Sequence, residues 1–107
     1  MATARTLINV PAAKSGEVIE VRATIGHPME TGHRPDGLGR LVPRDIITRF
    51  ECLLDGERVF GMDLFPALAA NPYIAFTLRV QRGGTLTFVW EGNNGFRHSE
   101  TRPLVLV

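Results

Sequence analysis

Hydrophobic and polar residues alternate along several short segments of this chain. Within Val18 to Ile25, apolar residues occupy every second position from Ile19 onward, and the polar residues lie between them. Side chains of a β-strand point to opposite faces with this period of two. The segment therefore predicts a strand whose apolar face, formed by Ile19, Val21, Ala23 and Ile25, is buried.

A second alternating segment is followed directly by a turn signal. Ile46 to Leu54 has the strand period, Asp55-Gly56 comes next, and Glu57 to Met62 forms another strand-like run. The Asp-Gly pair favours a tight hairpin turn because both residues tolerate a positive φ. The pattern predicts a β-hairpin.

The C-terminal half repeats this arrangement. Tyr73 to Gln81 carries a regular apolar face, Gly83-Gly84 interrupts it, and a further strand follows with Leu86, Phe88 and Trp90 on one face. We interpret this pair as a second hairpin. The Asn-Gly signal within residues 92–95 then precedes a last strand from Phe96 to Val107, in which Pro103 is expected at an edge or a bulge.

With a first strand from Thr6 to Val10, the chain has about seven strands, separated by turn signals at the ~8–12 residue spacing of β-sandwiches. We expect an all-β, immunoglobulin-like or fibronectin-like antiparallel β-sandwich. A chain of 107 residues is long enough for one core, so residues 1–107 are assigned to a single domain.

Composition and charge narrow the functional classes. A hydrophobic fraction of 44% with 21% charged residues is typical of a globular domain. The net charge of +1 argues against nucleic-acid binding. No apolar run approaches the ~20 residues that cross a bilayer, and the first ten residues lack a secretory signal pattern, which by itself suggests the cytoplasm.

Candidate catalytic groups are few. The only serines, Ser15 and Ser99, lie outside any G-x-S-x-G motif, and the single cysteine, Cys52, excludes an internal disulfide and a zinc site built on cysteines of this chain. Cys52 lies on an apolar strand and is expected to be a buried, inert thiol, with a disulfide to a partner chain as the alternative. These features do not indicate an enzyme or a bound cofactor.

His27, Glu30 and His33 have an H-x-x-E-x-x-H spacing, which is a metal-binding pattern when it lies on a helix. Pro28 and Gly32 would break a helix here. We therefore expect these residues to face solvent in a loop, without a metal. His98 is expected to be a polar strand residue.

Two connections are long enough to have a function. His27 to Pro43 contains three prolines and three glycines, and Leu64 to Pro72 is a shorter crossover. The first connection and its flank contain Arg34, Arg40 and Arg44, which suggest a modestly cationic surface.

Several segments together resemble the SoxZ family. They are Ile25 to Gly32, Pro43 to Phe50, Asn71-Pro72-Tyr73 and Gly84 to Trp90, and they span nearly the whole chain in the expected order. The resemblance implies an immunoglobulin-like fold and a heterodimer with SoxY. SoxY holds sulfur intermediates on a mobile C-terminal Gly-Gly-Cys-Gly-Gly arm, while this chain ends in Pro103-Leu104-Val105-Leu106-Val107.

The resemblance further implies a non-catalytic subunit without a cofactor that meets other Sox enzymes transiently, and that reaches the periplasm together with SoxY and not by a signal of its own. The long connection is then expected to contact the partner complex through His27, Pro28, Met29, Glu30, Arg34, Arg40 and Arg44. The alternative function is an unrelated β-sandwich adhesion or chaperone-like module, since a fold does not fix a function. An enzyme ranks third.

Overall fold

Seven β-strands account for most of the regular structure. The computed structural model describes residues 4–65 and 70–107. Its strands are β1 (Thr6–Asn9), β2 (Val18–Ile25), β3 (Ile47–Leu54), β4 (Glu57–Asp63), β5 (Tyr73–Arg79), β6 (Gly84–Gly92) and β7 (Arg97–Leu104). A short 3-10 turn, Asn93–Gly95, joins β6 to β7. Within the described ranges, no helix is long and apolar enough to cross a membrane.

The strands form two antiparallel sheets, with three strands in the order β1-β2-β5 and four in the order β4-β3-β6-β7. The expected all-β, immunoglobulin-like sandwich is confirmed. The crossover before β5 includes residues 66–69, which lie outside the described residues.

The core lies between the two sheets, where their alternating apolar faces meet. In β2, the predicted inward set of Ile19, Val21, Ala23 and Ile25 is buried. The ring of Phe50 on β3 lies at its centre, 5.2 Å from Trp90 and 6.2 Å from Phe76 between ring centroids. Phe50 therefore contacts both sheets, and removing its ring would leave a cavity between them.

Two of the predicted turns have the expected geometry. Asp55 and Gly56 have φ values of 48° and 87°, and they join β3 to β4 as a hairpin. Asn94 and Gly95 have φ values of 58° and 72°, and they lie between the paired strands β6 and β7. Positive φ at these positions explains why Asp-Gly and Asn-Gly occur there.

The predicted hairpin between β5 and β6 is wrong. β5 pairs with β2, whereas β6 pairs with β3 and β7 in the other sheet. The connection is an arch that crosses from one sheet to the other. It is tied to the β3–β4 turn by Asp55, whose carboxylate accepts bonds from Thr85 N–H at 2.9 Å and Arg82 Nη1 at 2.7 Å.

The last strand is shorter than predicted, ending at Leu104 instead of Val107. Beyond it, the chain contacts an early segment, since Ala13 N–H donates to Val105 O at 3.0 Å and Val107 N–H donates to Ala13 O at 2.9 Å. β7 is an edge strand, so the expectation that Pro103 lies at an edge is confirmed.

Candidate functional site

The connection between β2 and β3, residues 26–46, folds back on itself and is called here the β2–β3 arm. Glu30 and Asp45 exchange two backbone hydrogen bonds, of 2.7 and 2.8 Å. Further out, Val42 N–H donates to Arg34 O at 2.8 Å, and Pro35 bridges to Leu41. These backbone hydrogen bonds join the two halves of the arm along an irregular ladder.

The tip of the arm is organised by Asp36. Its Oδ1 accepts the N–H groups of Leu38, at 2.8 Å, and Arg40, at 3.0 Å. Such bonds from an Asp side chain to nearby backbone define a tight local turn. The side chains of Leu38 and Leu41 are 77% and 62% exposed at this tip. The arm thus presents two leucines to solvent.

His27, at the base of the arm, is buried, so the expectation of a solvent-facing histidine is wrong. The residue is 5% exposed, and its ring meets Phe96 edge-on at 4.9 Å. Its backbone N–H donates to Asn71 Oδ1 at 2.9 Å, and Asn71 N–H donates to His27 O at 2.7 Å. Contacts with residues distant in sequence therefore bury a side chain that looks polar in the sequence.

The geometry also fixes the tautomer of His27. Its Nδ1 accepts the Met29 N–H at 3.0 Å, so in the neutral ring the proton is on Nε2, which lies 3.6 Å from Asp45 Oδ1. Burial lowers the pKa of His27, and the Asp45 carboxylate opposes this shift. The buried ring is held neutral and acts as a hydrogen-bond acceptor at the base of the arm.

Met29 also points into the domain. It is 4% exposed, its backbone has φ of 52°, and its sulfur lies 3.2 Å from the donating N–H of Ile47. Met29 was expected to offer an apolar contact to a partner. In the isolated domain, neither Met29 nor His27 has appreciable exposed surface, and the partner-binding role of the arm as a whole stays a prediction.

The arginines of the arm are largely neutralised by its own carboxylates. Arg34 binds both oxygens of Glu30, at 2.6 and 3.1 Å, and this lowers the pKa of the Glu30 carboxyl. Arg40 Nε lies 3.6 Å from Asp36 Oδ2. Arg44 is exposed and belongs to none of the ion pairs within the described ranges. The modestly cationic surface expected from the sequence is thus reduced to the exposed Arg44.

The H-x-x-E-x-x-H residues do not converge on a common point. His27 Nδ1 is engaged by a backbone N–H, the Glu30 carboxylate is engaged by Arg34, and His33 is exposed. Among residues 4–65 and 70–107, no group of three or more His, Cys, Asp or Glu side chains has the arrangement of a metal site.

Cys52 lies on β3 with no exposed surface, so its predicted burial is confirmed. Burial raises the pKa of the thiol to about 12. A thiolate, not a thiol, is the nucleophile that forms bonds to sulfur. In the folded domain, Cys52 is therefore unsuited to carry a sulfur substrate.

A polar cluster on β7 was not found from the sequence. His98 was expected only as a polar strand residue, but it points inward, where its Nε2 lies 3.0 Å from Glu100 Oε1. Thr6 Oγ1 donates to the same oxygen at 3.2 Å, and Arg102 Nη1 donates to Oε2 at 3.3 Å. These hydrogen bonds lower the pKa of Glu100, and the bond with His98 has the largest effect. The sequence signal that could have revealed this cluster is the alternation of His98, Glu100 and Arg102, which places the three side chains on one face of a strand.

This cluster borders an open groove of about 600 Å³ between β1 and β7. Each polar group in it has a protein partner, so the cluster satisfies itself without a ligand. Next to it, the Trp90 indole is fully buried, and Nε1 has no hydrogen-bond partner within the described part of the chain. The arrangement is typical of a self-contained polar network at a sandwich edge.

A family model described as sulphur oxidation protein SoxZ matches residues 8–103. No curated protein matches the chain.

Solved structures with a similar fold include a superoxide reductase (neelaredoxin) from Ignicoccus hospitalis, 17% identical, with a TM-score of 0.69 over 99% of this chain and 81% of that one. A putative superoxide reductase from Thermotoga maritima is 15% identical, with a TM-score of 0.70 over 95% and 85% of the two chains. The sulfur carrier protein SoxY from Chlorobium limicola f thiosulfatophilum is 15% identical, with a TM-score of 0.63 over 94% and 73%. At these identities, the likeness concerns the fold.

Proposed function

The chain belongs to the SoxZ family of sulphur oxidation proteins, and we propose that it is the non-catalytic subunit of a SoxYZ sulfur carrier complex. In this complex, SoxY carries the sulfur intermediates of thiosulfate oxidation covalently, and the present chain supports it as the other half of a heterodimer. The observation that carries the proposal is the family match over residues 8–103, which include all or part of every strand from β1 to β7.

The chemistry of the described residues agrees with a supporting role. A covalent carrier needs an accessible thiolate, whereas Cys52, the single cysteine of the chain, is buried and has a pKa raised to about 12. Two ionisable side chains that were considered for chemistry are engaged in pairs, Glu30 with Arg34 and His98 with Glu100. The reactive cysteine of the complex is therefore assigned to SoxY.

We place the complex in the periplasm, with this chain exported alongside SoxY. We assign transient contacts with other Sox enzymes to the exposed part of the β2–β3 arm. Leu38 and Leu41 are exposed at the tip of its backbone ladder. Arg44 is an arginine of the arm that belongs to no ion pair among the described residues. No observation favours the adhesion or chaperone-like alternative over the SoxZ assignment.

Co-expression with SoxY tests the proposal directly. The two chains are expected to co-elute as a one-to-one complex by size-exclusion chromatography with light scattering. Thiosulfate-dependent turnover of the reconstituted system should require both chains, and the present chain alone should show none. A SoxY variant without its arm cysteine is the control, because it should still bind but abolish turnover. Separate elution of the two chains at micromolar concentrations would contradict the proposal.

Localisation is tested by cell fractionation. With SoxY present, the chain should appear in the periplasmic fraction, and without SoxY it should stay in the cytoplasm. Periplasmic recovery in both strains would contradict joint export.

A further inference from the structure

In the described part of the chain, four strands lie at sheet edges, and three of them carry features that block further strand pairing. β1 has only four residues. β4 includes Glu57, Arg58 and Asp63, and its pairing with β3 is interrupted by a register shift. β7 has inward-pointing polar side chains and Pro103. Short length, charge, irregular pairing and proline are the usual means by which a protein protects a sheet edge.

The fourth edge strand, β5, has seven residues and carries a single charge, on its last residue, Arg79. Its sequence from Tyr73 to Leu78 contains no charged residue and no proline, and its pairing with β2 runs without a register shift from Tyr73 to Arg79. Among the described residues, no strand pairs with its outer edge. Such a strand is a template for pairing with another chain.

The register shows which backbone groups of β5 face outward. The flanking bonds, Val80 N–H to Glu17 O at 2.8 Å and Ile25 N–H to Pro72 O at 3.4 Å, join directly opposed residues. In an antiparallel pair, such hydrogen-bonded positions alternate with positions that point away. The backbone groups of Ala75 and Thr77 therefore point to the open edge.

An apolar groove of about 290 Å³ adjoins this edge. It is lined by Met62 and Leu64 on the β4 side and by Pro72, Tyr73 and Ile74 at the start of β5. Tyr73 is 59% exposed. Exposed aromatic side chains next to an apolar groove are common at protein interfaces. The groove provides a place for an apolar side chain of a strand added at β5.

We propose that the outer edge of β5 binds a β-strand of SoxY, which extends the β1-β2-β5 sheet across the heterodimer. This inference rests on the proposed function, which supplies the partner. The solved structure of SoxY from Chlorobium limicola shares this fold over 94% of the present chain, and a sandwich of open sheets offers edge strands for pairing. The chemistry of β5 requires an uncharged, extended segment of SoxY with an aliphatic or aromatic side chain directed into the groove.

Strand addition of this kind takes its affinity from backbone bonds and its specificity from alternate side chains. A proline at Thr77 removes an outward N–H without removing a bond to β2. Thr101 on β7 supplies a matched control, since it too is an exposed threonine whose N–H points to an open edge. Thr77→Pro and Thr101→Pro therefore make the same chemical change on the two edges.

Thr77→Pro is expected to lower the affinity for SoxY by at least about tenfold, and Thr101→Pro to change it by less than about twofold. Thermal melting checks that both variants are folded. Should a proline variant fail to fold, Thr77→Lys and Thr101→Lys replace the pair, because a lysine also blocks an edge. The free chain should tolerate the Thr77→Lys change, since Thr77 lies opposite Glu20 on β2.

Amide hydrogen exchange gives an independent measurement. Binding of SoxY should slow exchange at Ala75 and Thr77, while Phe76, whose N–H is bonded to β2, is already slow in the free chain.

Two results would overturn the inference while leaving the proposed function intact. One is that both Thr77 variants bind SoxY with the same affinity as the wild-type chain. The other is a dimer of the isolated chain that Thr77→Pro disrupts while SoxY binding is unchanged, because the edge would then bind a second copy. Failure of the wild-type chain to bind SoxY would overturn both proposals.

Discussion

Replacing His27 with alanine tests whether this buried imidazole stabilises the base of the β2–β3 arm. The variant loses the acceptor of the Met29 N–H, at 3.0 Å, and the edge-on contact with Phe96, at 4.9 Å. A buried donor left without a partner costs about 1–3 kcal/mol, and the vacated space adds to this. We expect the free energy of unfolding at pH 7.5 to fall by about 2–4 kcal/mol, which lowers Tm by about 10 °C or more.

The same ring makes this difference depend on pH. Because burial lowers the pKa of His27 in the folded state, the unfolded chain binds a proton first, near pH 6.5. The stabilisation is complete above that pH. It is lost on acidification by up to about 1.4 kcal/mol per pH unit, until the pH passes below the folded pKa. The Asp45 carboxylate, 3.6 Å from the ring, favours the protonated imidazole. It therefore narrows the pH range between the unfolded and the folded pKa of His27 over which stability is lost.

Urea unfolding of the wild type and His27→Ala from pH 7.5 to pH 5 measures this dependence. The difference in unfolding free energy between the two proteins should shrink as the pH falls, while effects common to both cancel. His33→Ala is the control, since it removes an exposed histidine of the same arm. A difference that stays constant with pH, or an equal loss in His33→Ala, would refute the reasoning.

Three other predictions concern single side chains. A thiol reagent should label Cys52 at least about a hundredfold more slowly in the native chain than in the unfolded one, because the thiol is buried with a pKa of about 12; similar rates would contradict this. Phe50→Ala should cost about 3–5 kcal/mol in urea unfolding, and a cost under about 1 kcal/mol would show that the core does not depend on this ring. Arg44→Ala should weaken association with SoxY or a Sox enzyme without lowering Tm, whereas unchanged binding and turnover would remove Arg44 from the functional account.

Local patterns in the sequence predicted the strands and two of the turns. The alternation in β2 identified its buried face, and Asp55-Gly56 identified a hairpin, because both depend on neighbouring residues. The β5–β6 connection was misassigned for a physical reason. Two strands with apolar faces joined by glycines have the same pattern whether they pair in one sheet or face each other from two sheets. Periodicity shows that a face is buried and does not show which sheet contains the strand.

The arm was located from its length and composition, but its internal arrangement was not. The burial of His27 depends on Asn71 and Phe96, which lie far away in the sequence. The neutralisation of Arg34 depends on a fold-back that brings Glu30 into contact with it. Contacts of this kind follow from tertiary packing, so residue type alone suggested an exposed His27 and a free Arg34 where the structure has a buried histidine and a paired arginine.

The position of Trp90 makes its intrinsic fluorescence a reporter of the folded domain. It is the single tryptophan of the chain, it is fully buried, and its ring lies 5.2 Å from Phe50 at the centre of the sandwich. An indole in apolar surroundings emits at shorter wavelength than one in water. Fluorescence should therefore shift to the red only when the two sheets separate. Strand addition at the outer edge of β5 should leave Trp90 buried between the sheets and its emission unchanged, so a red shift of this emission reports unfolding of the domain and not strand pairing.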